Sequence, residues 1–179
     1  MGKRAKKKDH VPAVGDKPFL YVQLRTFAHA TEDQAKVEAA LACAAGHDLE
    51  DAAGEKRFRT LLKDTSAAGH FNNPIHILEV ELTRNRDVRA FWEAIFESDG
   101  IAPRLLREAD RRLDDDLVFW FRIDKQKAAQ GAVHLSRGED VIHVRAKLAT
   151  YPKDRTVALA WLEAFLAQAG ATTETASAA

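Results

Sequence analysis

Aromatic, basic and imidazole side chains recur at alternate positions in two otherwise apolar segments of the chain. Trp120 and Arg122 alternate with apolar residues in one segment, and His143, Arg145 and Lys147 do so in the other. Because successive side chains of a strand point to opposite faces of a sheet, this spacing puts all of them on one face. An indole ring can stack on an unpaired base, and guanidinium or ammonium groups can neutralise phosphates. The spacing therefore makes this face a candidate RNA-binding surface.

Other basic residues extend this candidate RNA site. Arg25 alternates with apolar residues in an earlier segment, and Lys125 directly follows the segment of Trp120. Lys6, Lys7 and Lys8 belong to a basic N-terminal arm, which can add salt-dependent contacts to phosphates.

A second interpretation of the same pattern requires no ligand. Any antiparallel sheet that packs on one side has a polar outer face. Glu79 and Glu81 could simply pair across strands with Arg145 or Arg122. The alternative function is then a subunit that docks a protein partner without contacting RNA. A contiguous basic patch would favour RNA, and an apolar patch would favour protein.

The charge of the chain is balanced overall but unevenly distributed. The sequence has 27 basic and 27 acidic residues. Residues 1–8 contribute five of the basic ones and no acid, which leaves 22 basic against 27 acidic residues, a net charge of −5, in the rest. A body of this charge is not expected to bind every polyanion, so an RNA site must be a local patch.

Residues that could support catalysis or hold a metal form no recognisable group in the sequence. There are seven histidines but no His-Glu-x-x-His pair, and the single cysteine, Cys43, provides no thiolate cluster. Asp114, Asp115 and Asp116 are consecutive, so their carboxylates should not converge on one Mg²⁺ ion. Phosphate-binding glycine loops and nucleophile elbows are missing. We therefore expect no enzyme activity, no metal and no cofactor; a small nuclease is the least favoured hypothesis.

Hydrophobic periodicity predicts the first elements that position these residues. The alternation from Phe19 to Thr26 predicts a strand with Leu20 inward. A helix should begin at Thr31, which has a capping-box spacing to Gln34, and end at Gly46. The segment from Arg57 to Lys63 resembles a weak strand. The sequence Asn72-Asn73-Pro74 predicts a tight turn with one asparagine at positive φ. Ile75 to Leu82 is the clearest strand.

The second half of the chain contains two more helices and further strands. A helical stripe from Val88 to Phe96 should follow a cap at Asn85, and a charged helix should span Pro103 to Leu113. The remaining predictions are a strand from Leu117 to Asp124, one helical turn from Gln126 to Gln130 before Gly131, a hairpin of Ala132 to Ser136 with Val141 to Leu148, and a final helix around Trp161.

This order of elements predicts an α+β fold in a single domain. Hairpins accompanied by helices favour a two-layer sandwich, in which a mainly antiparallel sheet carries its helices on one face. The composition changes predict a disordered basic arm at 1–16, the domain at 17–169 and a flexible tail at 170–179. No apolar run is long enough to span a membrane and no signal sequence follows the basic start, so we expect a cytoplasmic protein.

Several phrases of the sequence together resemble a known family. They are His29-Ala30-Thr31-Glu32-Asp33, His70-Phe71-Asn72-Asn73-Pro74-Ile75, Arg122-Ile123-Asp124-Lys125-Gln126 with Gly131 after it, Asp140-Val141-Ile142-His143-Val144-Arg145, and Tyr151-Pro152. In this order they resemble an archaeal family of RNA-binding-domain proteins that has been suggested to be an exosome-associated subunit.

The resemblance covers roughly residues 19–168 and implies a fold similar to the ribosomal protein that holds 5S rRNA. It also implies RNA as a partner, with RNA-processing or ribosomal proteins as further partners. His29, Thr31, His70, Asn72, Asn73, Pro74, Gln126 and Gly131 would be structural motif residues. The family usually has glycine at the position of Asn72, which is the next-best residue for a left-handed turn.

Overall fold

The protein is described by a computed structural model that covers residues 17–68, 73–98 and 100–177. A single sheet has the strand order β2-β3-β1-β5-β4, and every neighbouring pair is antiparallel. The strands are β1 Phe19–His29, β2 Leu62–Ala68, β3 Pro74–Leu82, β4 Val118–Asp124 and β5 Val141–Leu148. The helices are α1 Gln34–Ala44, α2 Ala52–Leu61, α3 Asn85–Phe96, α4 Ile101–Arg107, α5 Ala109–Arg112, α6 Lys125–Ala129 and α7 Arg155–Ser177.

The core lies between one face of the sheet and the helices. On the central strand β1, Val22 and Leu24 are fully buried, and the stripe of α3 packs Phe91 and Ile95 into the same core. Thr26 continues the inward row of β1, and its hydroxyl donates to the carbonyl oxygen of Val141 at 3.0 Å. The opposite face of the sheet carries the half-buried and exposed residues of each strand. The α+β class and the two-layer sandwich are therefore confirmed.

The start of β1 differs from the predicted alternation. Leu20 is 44% exposed, whereas Phe19 is buried. The pairing of β1 with β5 shifts register between Phe19 and Tyr21. A β-bulge inserts one residue into a strand and so reverses the alternation beyond it. The assignment of Leu20 to the core is therefore wrong.

Two predictions around the first helices are also wrong. Thr31 does not begin α1, because the N-cap is Asp33, whose side chain accepts from the backbone amide of Ala35 at 3.0 Å. The segment predicted as a strand from Arg57 to Lys63 is mostly the end of α2, which Asp51 caps. Of the predicted segment, only its last two residues, Leu62 and Lys63, belong to a strand, where they begin β2. The helix buries Phe58 alone, so its apolar stripe is too short to produce a clear helical pattern.

In the second half of the chain, the hairpin partner of β5 is different. The segment from Ala132 to Ser136 is not a strand and makes only a bridge between Leu135 and Ile123, while β4 pairs with β5. The charged helix begins at Ile101 and is divided at Glu108, so Pro103 is not its first residue.

Other predictions concern the turns and the two ends of the chain. The α7 backbone is helical through Ser177, where a flexible tail from Gly170 was expected. Lys6, Lys7, Lys8 and the arm at 1–16, together with His70 and Asn72, lie outside the described residues. Asn73 and Pro74 are exposed where β3 begins.

Two glycines with left-handed backbone allow a matched test of the packing. Gly46 has φ +75, and a Cβ placed on it would lie 2.4 Å from the carbonyl oxygen of Ala90 on α3. Gly131 has φ +81 with no atom within 4 Å of such a Cβ. Gly46 therefore permits close contact between α1 and α3, whereas Gly131 supplies only the conformation of the turn after α6.

We predict that Gly46→Ala destabilises the protein more than Gly131→Ala. A left-handed alanine costs about 1–2 kcal/mol at either position, and overpacking against α3 adds about 1–3 kcal/mol at residue 46 alone. Urea unfolding of both variants measures the difference. Equal losses of unfolding free energy would show that α1 and α3 do not pack closely at this glycine.

Candidate nucleic-acid interface

The strand registers bring most of the predicted RNA-binding residues together on the face of the sheet that lies opposite the described helices. Across β4, β5 and β1, Trp120 pairs with Arg145, which pairs with Gln23. In the next row Arg122 pairs with His143, which pairs with Arg25. Lys147 lies opposite Tyr21 one row further on. We call Arg25, Trp120, Arg122, His143, Arg145 and Lys147 the outer-face site.

The surface of the outer-face site is concave and accessible. Trp120 is 42% exposed, although it lies in a strand between buried neighbours. A concavity of about 470 Å³ is lined by Trp120, Arg145, His143, Arg25 and Phe27. An exposed ring next to guanidinium groups can stack a base while the cations contact its phosphates.

The charges at this site are mostly unpaired. Arg122 and Arg145 form no ion pair with any other described residue. Arg25 lies 3.5 Å from Glu79, and its guanidinium lies 5.3 Å from the centre of the Phe27 ring. Glu79 thus pairs with Arg25 and not with Arg145 or Arg122. Positive charge dominates on β1, β5 and β4, while Glu79 and Glu81 of this face lie on β3.

The environment of His143 reflects the same excess of positive charge. Burial lowers the pKa of His143 below its ordinary value of 6.5, and the nearby charges of Arg122 and Arg25 lower it further. The imidazole is therefore mainly neutral at pH 7 and can accept or donate a hydrogen bond without adding charge.

Lys147 is partly committed to the fold. Its ammonium group donates to the backbone carbonyl of Asp116, in the loop that precedes β4. It remains half-buried at the margin of the outer-face site. We therefore regard Arg122 and Arg145 as the cations most available to a ligand.

Lys125 lies apart from the outer-face site. Its side chain is 4% exposed, and its ammonium group lies 2.7 Å from Glu32 and 2.5 Å from Asp140. It also donates to the carbonyl oxygen of Phe27 at 3.0 Å. All three of its N–H groups have acceptors, so Lys125 connects β1, α6 and the start of β5 and is not free to bind phosphate.

The motif residues of the resemblance surround this buried lysine. His29 donates its backbone amide to Glu32 at 3.0 Å, and Gln126 donates to Asp140 at 2.7 Å. Gly131 takes the left-handed conformation that ends α6, while Thr31 is an exposed turn residue. The structure therefore gives His29, Gln126 and Gly131 a role in connecting elements.

A second group of basic residues lies outside the sites predicted from the sequence. Arginines from α4, α5 and the loop before β5 surround the carboxylate of Glu108. Three of them, Arg104, Arg111 and Arg112, belong to the segment predicted from the sequence as one charged helix.

The described residues contain no group of three or more side chains suited to binding a metal ion. Nor does any helix in that part of the chain have the length and apolar character needed to cross a membrane.

The fold and this surface define a small α+β domain whose sheet has one locally basic face that the described helices leave uncovered. A family model described as "RNA binding" matches residues 21–148. The "RNA-binding protein PAB1135" of Pyrococcus abyssi is 36% identical over 148 residues, covering 79% of this chain and 92% of that protein. The chain therefore belongs to this RNA-binding family.

Solved structures of archaeal proteins share the fold. Protein AF2318 from Archaeglobus fulgidus is 30% identical with a TM-score of 0.66, and the match covers 84% of this chain and 99% of that one. A DUF54 protein from Methanothermobacter thermautotrophicus is 28% identical with a TM-score of 0.67 and the same coverage. Protein SSO0741 from Sulfolobus solfataricus, at 19% identity and a TM-score of 0.58, supports the fold alone.

We predict that Arg122→Gln raises the pKa of His143, because it removes one of the two charges that oppose protonation. Titration of the imidazole proton signals by NMR measures this shift. The neutral imidazole is favoured in the folded state, so this residue makes the protein less stable as the pH falls below 6.5. An unchanged His143 pKa would mean that the two side chains are not neighbours on this face.

Proposed function

We propose that this protein binds RNA through the outer-face site. The observation that carries the proposal is the pairing of Trp120, Arg145, Arg122 and His143 across two adjacent strands. This pairing places an exposed ring beside two guanidinium groups that have no carboxylate partner among the described residues. The family model and the name of the Pyrococcus abyssi relative support RNA as the ligand.

Structured RNA is the proposed substrate class. A chain with as many acidic as basic residues cannot hold every polyanion tightly, so the shape of the RNA must contribute to recognition. We further propose that the protein works in the cytoplasm as a non-catalytic component of an RNA-processing, exosome-like assembly or of a ribosome-associated one. The resemblance to the family and to the 5S-rRNA-binding ribosomal protein supports this role.

A different surface favours the alternative of protein docking. An apolar concavity of about 330 Å³ lies between α3, α7 and the start of β1, and its lining includes Phe19, Trp92, Phe96 and Phe165. Apolar patches on a protein surface commonly bind other proteins. This alternative becomes the better account if RNA does not bind.

We predict that Arg122→Gln combined with Arg145→Gln weakens RNA binding and flattens its salt dependence. Each lost phosphate contact should remove roughly 0.7–0.9 from the slope of log affinity against log salt concentration, and two contacts should remove about 1–2. Fluorescence anisotropy with a labelled RNA hairpin, measured from low to moderate salt, provides both quantities.

The matched control is Lys36→Gln combined with Arg89→Gln, which removes the same charge from exposed positions on α1 and α3. This control should bind nearly as the parent protein does. If the slope of log affinity against log salt concentration falls equally in both double variants, binding depends on net charge alone. The proposal that RNA binds at the outer-face site is then wrong. If the parent protein fails to bind the hairpin even at low salt, the proposed RNA function is wrong.

A further inference from the structure

Five arginines form a second concentration of positive charge outside the outer-face site. We call them the arginine cluster: Arg104, Arg107, Arg111, Arg112 and Arg137. Glu108 lies at its centre. Arg112 donates to this carboxylate at 2.8 Å, and Arg137, Arg111 and Arg104 lie at 3.3, 3.4 and 3.8 Å from it.

One carboxylate cannot neutralise this number of guanidinium groups. Burial alone would raise the pKa of Glu108, but hydrogen bonds from Arg112 and Arg137 hold it below its ordinary value. Glu108 is therefore ionised and balances a single arginine. The neighbouring Asp110 does not help, since it pairs with Arg155 at 2.9 Å. The cluster keeps an excess of positive charge.

The members of the cluster differ in how much the fold needs them. The Arg112 side chain is 10% exposed and reaches the carbonyl oxygen of Trp120 at 3.4 Å, so it attaches α5 to β4. The side chains of Arg111 and Arg137 are 71% and 75% exposed, and Arg107 is also exposed. A structural attachment requires Arg112 and Glu108, but it does not require the outward guanidinium groups.

The chain leads from the outer-face site to the arginine cluster at the edge of β4. The backbone amide of Ser136 donates to the carbonyl oxygen of Arg122 at 2.9 Å. Arg137 follows immediately and points its guanidinium at Glu108. The segment that carries Arg137 to Glu108 therefore begins next to the backbone of Arg122, at the edge of β4.

The two surfaces differ in the chemistry they offer. The outer-face site has Trp120 to stack an unpaired base, whereas the cluster has no aromatic member. The planar guanidinium group can donate two parallel hydrogen bonds to the oxygens of one phosphate. A double-stranded RNA stem hides its base faces and presents phosphates and 2′-hydroxyls. The arginine cluster, which has no aromatic ring, can therefore bind the phosphates of a stem. The outer-face site can stack unpaired bases on Trp120.

We propose that the arginine cluster binds the phosphate backbone of a double-stranded RNA stem, while the outer-face site holds unpaired nucleotides that extend from it. This proposal rests on the proposed RNA-binding function and specifies its substrate as a junction between paired and unpaired RNA.

The test compares three RNAs: a blunt duplex, an unpaired strand of about ten nucleotides, and the same duplex with that strand as an extension. Arg107→Gln combined with Arg111→Gln removes two outward guanidinium groups and leaves Arg112 and Glu108 in place. We predict that this double variant lowers the slope of log affinity against log salt concentration by about 1–2 for both duplexes. Binding of the unpaired RNA strand should not change. Trp120→Ala should weaken binding of the unpaired RNA strand and of the extended duplex, but it should not weaken binding of the blunt duplex.

Thermal melting separates binding from folding. Neutralising mutually repelling arginines should leave the melting temperature of the cluster variant unchanged or slightly higher. Lys36→Gln combined with Arg89→Gln again controls for charge. If Arg107→Gln combined with Arg111→Gln lowers the melting temperature by several degrees and weakens binding of all three RNAs equally, these arginines have a structural role. That result would overturn the inference.

The outcomes also distinguish this inference from the proposed function. If the cluster variant binds every RNA as the parent protein does, while Arg122→Gln with Arg145→Gln still weakens binding, the inference fails and the RNA function stands. If an equal charge of polyglutamate competes as well as the blunt duplex does, the cluster is a general polyanion site and the inference is wrong. If the parent protein binds none of the three RNAs, both proposals fail.

Discussion

The one-sided burial of the central strand determines the rest of the structure. β1 is hydrogen-bonded to β3 on one side and to β5 on the other, and every second residue from Val22 to Ala28 is buried against the helices. Since a slip of one residue would exchange the two faces of the strand, burial fixes the registers of both neighbours. Those registers bring Arg25, His143 and Arg122 into one row, so the packing of the core produces the arrangement of the proposed RNA surface.

Alternation in the sequence was sufficient to predict this face because it depends on local spacing alone. Trp120, Arg122, His143 and Arg145 point away from the core as their spacing predicted. The prediction failed where local spacing is not decisive. A bulge reversed the phase at Leu20, and the short apolar stripe of α2 gave no clear helical signal.

Features that arise from contacts between distant segments could not be predicted from the sequence. Lys125 appeared to belong to the basic face, but Glu32 and Asp140 from two other parts of the chain enclose it. Arg137 joins Glu108 across 29 residues of sequence. Charged residues on a helix ordinarily contact solvent, so nothing in the sequence distinguished the arginine cluster from an unremarkable polar face. The balanced total charge gave no sign of this second basic region.

The three tryptophans of the chain allow the most direct test of where RNA binds. Trp120 lies on the outer face, while Trp92 and Trp161 are buried beside the apolar concavity of α3 and α7. An NMR titration of nitrogen-labelled protein with a duplex that carries an unpaired extension follows all three indole N–H signals. We predict that the Trp120 signal shifts with the RNA concentration and the other two stay in place. A shift of Trp92 or Trp161 with an unchanged Trp120 would contradict binding at the sheet.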